Sequence, residues 1–449
     1  MGLKFDYFEN RFSITFFKTS NLNLQIDKSS NRLTLKNIII IGGGIVGLSS
    51  AYFLQKEGHQ VTVIDKSDIT SGASFVNAGF ITPSHIIPMA SPGKIAQGIK
   101  WMFDSSSPFY IKPRWDTDFF KWSWYFHKSS TAAKVEKAIP VIKDINILSR
   151  GLFEDMKASG DLGDFHLERK GLLMIYKTDA AFEHEMEVAQ KASFLGLEVA
   201  ELNKSQLETI EPNIKIDAKG AIHYECDGHT SPTELMPKLL AYLKSAGVRI
   251  KTNEEVLDLL VSNGKIDEIR TSKGSYTADE IILAAGSWSS ILSKKLNIKL
   301  PLQAGKGYRI NVSRPTGISM PSILMEASMA VTPMLEFTRF AGTMEFSGIN
   351  TIIRKERVLA IANGAKNFYP ELEITQKEIA DAQTGLRPVS PDGLPYIGKS
   401  KDFKNLTFAT GHAMMGWSLG PATGKLVSEI IDGKKTAMDI SAFAPGRRF

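Results

Sequence analysis

A glycine-rich turn near residue 42 has the residue types and spacing of a dinucleotide site. The run Gly42-Gly43-Gly44-Ile45-Val46-Gly47 follows a β-branched run at 38–41 and precedes a stretch with helical spacing. Gly42 allows the tight turn, Gly44 lets the backbone approach a pyrophosphate, and Gly47 allows close packing of helix on strand. The helix N-terminus favours the anion, and Asp65, after the next β-branched run, is expected to bind the adenosine ribose hydroxyls. The alternative is a glycine-rich turn without a ligand.

Small residues beyond Asp65 indicate a flavin rather than a nicotinamide. Asp65-Lys66 is followed by Ser71-Gly72-Ala73-Ser74 and Asn77-Ala78-Gly79, a loop placed where the ribityl chain and ring of a flavin would lie. A nicotinamide enzyme lacks a reason for this loop, so a nicotinamide-only dehydrogenase is disfavoured. A buried run ending in Ala285-Gly286 is expected to lie beside the same cofactor, although a generic strand end also explains it.

Two motifs near the C-terminus complete a family pattern. Gly385-Leu386-Arg387-Pro388 leads into Pro391-Asp392-Gly393, and the turn Gly411-His412-Ala413-Met414-Met415-Gly416-Trp417-Ser418 follows. Together with the first glycine turn and the Ser-Phe-Val-Asn-Ala-Gly loop at 74–79, they make the chain resemble a known family from about Asn37 to Phe449. It is similar to the glycine oxidase and D-amino-acid oxidase family of FAD flavoproteins, and most similar to the bacterial D-amino-acid dehydrogenase branch.

Arg387 is the strongest candidate for substrate binding. An amino acid substrate needs its carboxylate held so that its Cα–H points at flavin N5, and a guanidinium matches a carboxylate bidentately where lysine does not. The family's carboxylate-binding arginine lies in this Gly-x-Arg-Pro stretch. An interdomain salt bridge is the competing explanation.

The resemblance implies further pocket residues. It places His412 close to the flavin ring without making it a base, and the helix start at 416–418 would give backbone donors to the reduced flavin. Tyr308 and His229 match pocket regions of the family less sharply. Packing of the tyrosine within a sheet, and capping of the helix at 232–246 by Asp227 or Thr230, explain these stretches at least as well. His85 lies on a proline-flanked loop that could cover the site or be exposed.

The expected FAD contacts are spread over the whole chain. The predicted cofactor-binding residues are Gly42, Gly44, Ile45, Val46, Gly47, Asp65, Lys66, Ser71, Ser74, Asn77, Ala78, Gly79, Val256, Ala285, Gly286, Gly411, Gly416, Trp417 and Ser418. Non-covalent FAD is expected because the single cysteine, Cys226, lies outside any motif for flavin attachment. No metal site is predicted, since one cysteine cannot form a cysteine-based zinc cluster.

The order of elements predicts an α/β protein with two domains. A Rossmann-like FAD-binding domain with a parallel sheet and a βαβ unit is expected beside an α+β substrate-binding domain built on an antiparallel sheet. Helices are predicted at 232–246 and 418–431, and a sheet across 300–383. The expected segments are an N-terminal extension at 1–36, FAD-binding segments at 37–99, 219–300 and 384–449, and substrate-domain segments at 100–218 and 301–383.

Composition excludes several other classes of protein. The 449 residues are 43% hydrophobic and 23% charged, so the chain can bury a large core and is neither disordered nor fibrous. Its 54 Lys+Arg exceed 48 Asp+Glu by six, and half of that excess lies in residues 1–36. The remainder is close to neutral, so no nucleic-acid partner is expected. No run reaches the roughly 18 apolar residues of a membrane span.

The resemblance implies FAD-dependent oxidative deamination of a D-amino acid or of cis-4-hydroxy-D-proline. Hydride would pass from Cα to flavin N5, and the electrons would pass on to a quinone. The alternatives are a glycine- or sarcosine-type oxidase that reduces oxygen and, from another class, an FAD-containing RNA-modifying or scaffold protein. A cytoplasmic location is expected. Four of the six tryptophans lie in 101–126 and form either a helical core or a surface facing the inner side of the membrane.

Overall fold

Strands and helices alternate along the chain in the manner of an α/β protein. The computed structural model describes residues 34–93 and 109–449, so most of the predicted extension at 1–36, and Trp101, lie outside the described residues. The strands are β1 (Asn37–Ile41), β2 (Gln60–Ile64), β3 (Phe80–Ile81), β4 (Phe109–Ile111), β5 (Leu167–Glu168), β6 (Leu172–Tyr176), β7 (Val199–Asn203), β8 (Gly220–Tyr224), β9 (Gly228–Thr230), β10 (Arg249–Lys251), β11 (Val256–Ser262), β12 (Lys265–Thr271), β13 (Ser275–Tyr276), β14 (Glu280–Leu283), β15 (Gln303–Val312), β16 (Ser322–Leu324), β17 (Met329–Pro333), β18 (Thr338–Phe346), β19 (Gln383–Val389), β20 (Tyr396–Lys399) and β21 (Leu406–Thr410).

The α-helices cover these strands. They are α1 (Ile45–Lys56), α2 (Gly72–Phe75), α3 (Thr117–Ser129), α4 (Ala132–Ala158), α5 (Asp179–Phe194), α6 (Lys204–Ile210), α7 (Pro232–Ser245), α8 (Ser289–Lys295), α9 (Lys355–Phe368), α10 (Gln376–Ala380) and α11 (Gly420–Asp432), with short 3₁₀ turns at Gly286–Trp288 and Ser441–Phe443. The helices predicted at 232–246 and 418–431 correspond to α7 and α11.

The first of two large sheets has six strands in the order β10-β2-β1-β14-β21-β20. Its neighbours are parallel, apart from the edge strand β20, which runs antiparallel to β21. Residues 38–41 of β1 are all buried, as expected when both faces of a parallel sheet are covered. β1, α1 and β2 form the predicted βαβ unit, and the predicted parallel sheet is confirmed.

The second large sheet has nine strands and is mostly antiparallel. Its order is β19-β15-β18-β17-β16-β6-β8-β7, with β4 paired to β18. Two pairs, β16 with β6 and β4 with β18, are parallel. The predicted antiparallel sheet is therefore confirmed. β8 and β19 belong to this sheet, whereas the sequence analysis assigned 220–224 and 384–389 to FAD-binding segments.

The prediction of sheet throughout 300–383 missed two helices, α9 and α10. Residues 358, 361, 362, 365 and 368 of α9 are buried, which is the i, i+3, i+4, i+7 spacing of an amphipathic helix. These residues pack on the core of the large sheet, whereas a separate core covers the six-stranded sheet. Residues from Leu35 to Phe449 form one compact unit, so the boundaries between the two predicted domains remain predictions.

No helix within the described ranges is both long enough and apolar enough to cross a membrane.

Candidate active site

A cavity of about 1210 Å³ joins the six-stranded sheet to the nine-stranded sheet. Its wall includes the glycine turn and Asp65 at the carboxyl ends of β1 and β2, and Tyr308 and Arg387 on β15 and β19. Ligands of open α/β sheets bind at the carboxyl ends of the strands. One part of the cavity wall therefore has the features of a dinucleotide-binding site, and another part is formed by the nine-stranded sheet.

The glycine turn has the geometry that its spacing predicts. Gly42 has a φ of +112°, and a Cβ there would lie 2.4 Å from the carbonyl oxygen of Ala284. A Cβ on Gly47 would lie 1.9 Å from the carbonyl oxygen of Gly42, so Gly47 lies behind the turn and acts in packing rather than in lining the cavity. Gly44, Ile45 and Val46 line it. The first turn of α1 has no acidic residue, which leaves its positive dipole end available to an anion.

Asp65 follows β2 and faces the same turn. Its Oδ2 accepts from the N–H of Gly43 at 2.6 Å, and its Oδ1 accepts from the N–H and hydroxyl of Ser67. Lys66 and Val256 also line the cavity, and the Lys66 Nζ lies 3.7 Å from the ring centroid of Trp288. The contact of Asp65 with ribose hydroxyls remains a prediction.

The loop expected beside the flavin is held by a buried arginine that the sequence analysis missed. Ser71, Ser74, Asn77 and Ala78 line the cavity. Arg339 donates from Nη1 to the carbonyl oxygens of Phe75 and Asn77. Gly79 does not line the cavity. Its backbone packs against β9, where its carbonyl oxygen accepts a hydrogen bond from the N–H of Thr230.

The C-terminal turn closes another part of the wall. Gly416, Trp417 and Ser418 line the cavity together with Ala285 and Gly286. The Trp417 indole donates to the Thr230 hydroxyl at 2.8 Å, so its side chain is fixed within the protein. Gly411 is not a lining residue; a Cβ at this position would meet the ring of Tyr396 at 2.6 Å behind the wall.

These features fit FAD at the predicted position. The wall offers a helix N-terminus for the pyrophosphate, a carboxylate after β2, and a loop of small residues leading toward the large sheet. The predicted cofactor-binding residues line this cavity, apart from Gly47, Gly79 and Gly411, which lie behind its wall. That the lining residues contact FAD remains a prediction.

Arg387 lines the cavity from the nine-stranded sheet, without an acidic partner among the described residues. Its Nη1 donates to the carbonyl oxygen of Thr343 at 3.0 Å and lies 3.9 Å from the Met344 sulfur. No carboxylate among the residues that the structure describes forms an ion pair with it. Burial lowers the pKa of Arg387 to about 10, so the guanidinium is still charged at neutral pH. Arg387 is partly buried, and a cation in such a position without a counter-ion is a site for an anion.

Gly307 makes room for that guanidinium. The register pairs Gly305 with Arg387 and Gly307 with Gly385, so the Arg387 side chain reaches diagonally across β15. A Cβ on Gly307 would lie 2.1 Å from the Arg387 Nη1 and 2.4 Å from its Cζ. Only glycine at 307 leaves this position open, and the sequence analysis did not identify it.

Thr343 is a third residue that the sequence analysis missed. β15 and β18 shift register between Lys306 and Tyr308, which places a bulge at Thr343 and Met344. Thr343 has a φ of +62°, a strained conformation for a β-branched residue, and its buried Oγ1 has no partner. Bulges beside active sites re-aim side chains, and this one aims the Thr343 carbonyl at Arg387.

Tyr308 lines the cavity, as predicted, but its hydroxyl is already engaged. It donates to Glu345 Oε2 at 2.6 Å, and burial raises the pKa of Tyr308 above its usual range. Glu345 also forms a buried ion pair with Lys306 at 3.0 Å. The tyrosine is therefore part of a buried polar network in the nine-stranded sheet.

Two of the predicted histidines lie at the cavity. Nε2 of His412 lies 2.9 Å from the Thr423 hydroxyl, and burial lowers the pKa of His412 to about 3. His85 is half-buried and lines the cavity, so it is not an exposed loop residue, and burial lowers the pKa of His85 to about 4. Both imidazoles are neutral at pH 7, which agrees with the expectation that His412 is not a strong base.

His229 was predicted as a pocket residue, and the structure does not place it there. It lies on β9, between β3 and β5, and does not line the cavity. Its neighbour Thr230 faces Trp417 and Gly79, and alternation along the strand turns His229 to the opposite face. Burial and the nearby His166 lower the pKa of His229 to about 4.

Comparison with known proteins agrees with this architecture. The family model described as FAD dependent oxidoreductase matches residues 37–430. A D-amino acid dehydrogenase of Helicobacter pylori is 32% identical over 397 residues, covering 88% of this chain and 94% of its own length. A D-amino acid dehydrogenase of Vibrio atlanticus is 30% identical, covering 90% and 97%. Glycine oxidase from Geobacillus kaustophilus has the same fold, with a TM-score of 0.74, 21% identity and coverage of 92% and 99%. This chain belongs to the family of FAD-dependent oxidoreductases.

Proposed function

We propose that this chain is an FAD-dependent D-amino acid dehydrogenase, with simple D-amino acids and cis-4-hydroxy-D-proline as candidate substrates. The observation that carries the proposal is Arg387, a partly buried guanidinium that lines the cavity from the nine-stranded sheet and has no carboxylate partner among the described residues. The match of this chain to relatives with this name extends over nearly the whole length of those relatives. We infer that FAD is bound non-covalently, because Cys226 is buried and does not line the cavity.

The residues around Arg387 orient the substrate. Arg387 binds the carboxylate through parallel N–H bonds, which fixes the Cα–H direction. Met344 and Ala413 line the cavity, belong to one hydrophobic cluster, and limit the access of water. His412 and His85 are neutral and have no role as strong bases, so the substrate amine enters in its neutral form.

The reaction removes two hydrogens from the substrate. Its Cα hydrogen leaves with the bonding electron pair, one N–H proton is lost, and a C=N bond forms. FAD supplies the acceptor for that electron pair when bound. Water then hydrolyses an open-chain imine to a 2-oxo acid and ammonia, whereas an imine from a proline remains cyclic.

Anaerobic titration of the purified holoenzyme tests this proposal. We expect D-amino acids or cis-4-hydroxy-D-proline to bleach the flavin absorption band, L-enantiomers to be much less effective, and a quinone analogue to restore the band faster than oxygen does. Hydrogen peroxide formed in step with substrate loss would instead identify a glycine- or sarcosine-type oxidase. No bleaching by any amino acid would contradict the proposal and favour a redox-inert scaffold.

We infer further that the electrons pass to a membrane quinone and that α3 contacts the membrane. Of the aromatic residues near this helix, Trp122 is buried, but Trp115, Phe120 and Trp124 are 93%, 49% and 60% exposed. Exposed lysines, among them Lys121, lie on the same helix. Amphipathic aromatics beside lysines favour a lipid interface.

Vesicle sedimentation tests this contact. We expect the full chain to sediment with vesicles that contain anionic lipid, and a variant with Trp115→Ser, Phe120→Ser and Trp124→Ser to remain largely in the supernatant. Phe194→Ser is the matched control, because Phe194 is 92% exposed on α5. Equal sedimentation of the triple variant, or none by the unaltered chain, would show that α3 is not a membrane contact.

A further inference from the structure

We propose that His166, Glu168 and His229 form a binding site for a divalent transition-metal ion such as Zn²⁺. Glu168 lies on β5, His166 directly precedes that strand, and His229 lies on β9. None of the three lines the cavity that the proposed function uses. The expectation of no metal rested on the single cysteine, and this group contains none. The inference is independent of the proposed substrate.

The strand geometry places all three side chains together. His166 and Glu168 are two residues apart at β5 and therefore point to the same face. Glu168 lies directly opposite His229 in the β5–β9 register. The result is a pattern with two ligands at i and i+2 of one strand and a third ligand across the pair.

The distances between the ligand atoms are close to those around a metal ion. The Nε2 atoms of His166 and His229 are 3.2 Å apart, and the His229 Nε2 lies 3.8 Å from Glu168 Oε2. One ligand atom from each of the three residues falls within 4.8 Å of the others. Tetrahedral ligands with bonds of about 2.0–2.1 Å lie about 3.4 Å apart. A small rotation of Glu168 is enough to complete the triangle.

The donor set is chemically suited to zinc and similar ions. Two neutral imidazoles and one carboxylate are common ligands of Zn²⁺ and of other transition metals with an open coordination position. The carbonyl oxygen of Pro333 lies 3.1 Å from the His229 Nε2 and offers a fourth ligand. His166 and Glu168 are partly exposed, so an ion can enter from solvent.

A hydrogen-bonded histidine pair is the competing explanation, and it leaves the group poorly satisfied. His229 is fully buried and its Nδ1 has no partner, so no hydrogen bond on that side of the ring fixes its tautomer. A single N–H on Nε2 would have to serve His166, Glu168 and the Pro333 carbonyl together. One cation would accept the lone pairs of both Nε2 atoms, the Glu168 carboxylate and the Pro333 carbonyl. Lys170 competes for the carboxylate, since its Nζ lies 2.7 Å from Glu168 Oε2.

The position of the site suggests what the ion does. β9 lies between β5 and β3, and Phe80 on β3 lines the cofactor cavity. Phe80 lies directly opposite His229 in the register of β3 and β9. A metal ion would clamp β5 to β9 beside this part of the wall. Its role would be to stabilise the wall, not to take part in the redox step.

Zinc uptake by the full-length FAD-loaded protein, prepared without a polyhistidine tag, tests the proposal. After chelation and dialysis, we expect equilibrium dialysis against micromolar ZnCl₂ to give one tightly bound ion per chain. His166→Ala and Glu168→Gln should each weaken its affinity by at least about tenfold. The control is His184→Ala, an exposed histidine on α5. Both ligand substitutions are at partly exposed positions, so they avoid the folding risk of changing buried His229.

The outcomes separate a metal site from a histidine pair. Weaker zinc binding in the His166 and Glu168 variants, with the flavin spectrum and thermal unfolding of zinc-free samples unchanged, supports the site. If the unaltered chain takes up no zinc, or if the His166 variant binds it as tightly as the unaltered chain, the group is a hydrogen-bonded pair and the proposal is wrong.

Discussion

Arg387→Ala is expected to lower the kcat/KM of flavin reduction by roughly 100-fold or more, while FAD remains bound. Loss of one partner of a buried, hydrogen-bonded charge pair costs about 2–5 kcal/mol, and each 1.4 kcal/mol corresponds to about tenfold. The loss should appear both in the apparent substrate affinity and in the limiting rate, because the guanidinium also orients the Cα–H. Anaerobic stopped-flow measurement of flavin reduction gives both parameters.

The stability of the same variant separates a substrate-binding role from a structural one. Arg387 has one hydrogen bond to a carbonyl oxygen and no carboxylate partner among the described residues. Removing a partly buried charge that has no counter-ion relieves part of a desolvation penalty, so thermal stability without substrate should be unchanged or higher. The control is Arg270→Ala. Arg270 is half-exposed, forms an ion pair with Glu268, and is distant from Arg387 in the sequence. Unchanged kinetics with lower stability would make Arg387 a structural residue.

The cofactor half of the site could be predicted from the sequence because its signals are local. Gly42, Gly44 and Gly47 act within six consecutive residues, and the strand before them and the helix after them are specified by neighbouring residues. The structure brings nearly all of the predicted cofactor residues to one cavity. Gly79 and Gly411 were predicted to contact the cofactor, but they do not line the cavity. A glycine in a loop can be needed for close packing inside the protein as well as for the approach of a ligand, and the sequence does not distinguish the two.

The substrate half could not be predicted in the same way, because it depends on register between distant strands. Nothing near Gly307 in the sequence shows that β19 pairs with β15, or that a bulge on β18 aims the Thr343 carbonyl at Arg387. His229 shows the same limitation. The family resemblance matched it to a pocket region, but the face of β9 on which it lies depends on strand pairing with β3 and β5.

Gly307→Ala is expected to reproduce most of the Arg387 defect without touching the substrate. The new Cβ would lie within 2.4 Å of three guanidinium atoms, so the side chain of Arg387 must move away. Displacement of about 1 Å in a positioning group can cost about 100-fold in rate. Gly307 does not have a positive φ, so alanine is compatible with its backbone, and the FAD content should be normal. Stopped-flow flavin reduction again measures the effect.

A double-mutant cycle shows whether Gly307 acts through Arg387. If the only role of Gly307 is to admit the guanidinium, Gly307→Ala should have little further effect on kcat/KM in the Arg387→Ala background, because the two changes are coupled. Gly274→Ala is the control, since no atom lies within 4 Å of the added methyl group and its φ is ordinary. Independent, additive losses would mean that Gly307→Ala disturbs the sheet itself. The position of the Arg387 guanidinium would then not depend on the absence of a side chain at residue 307.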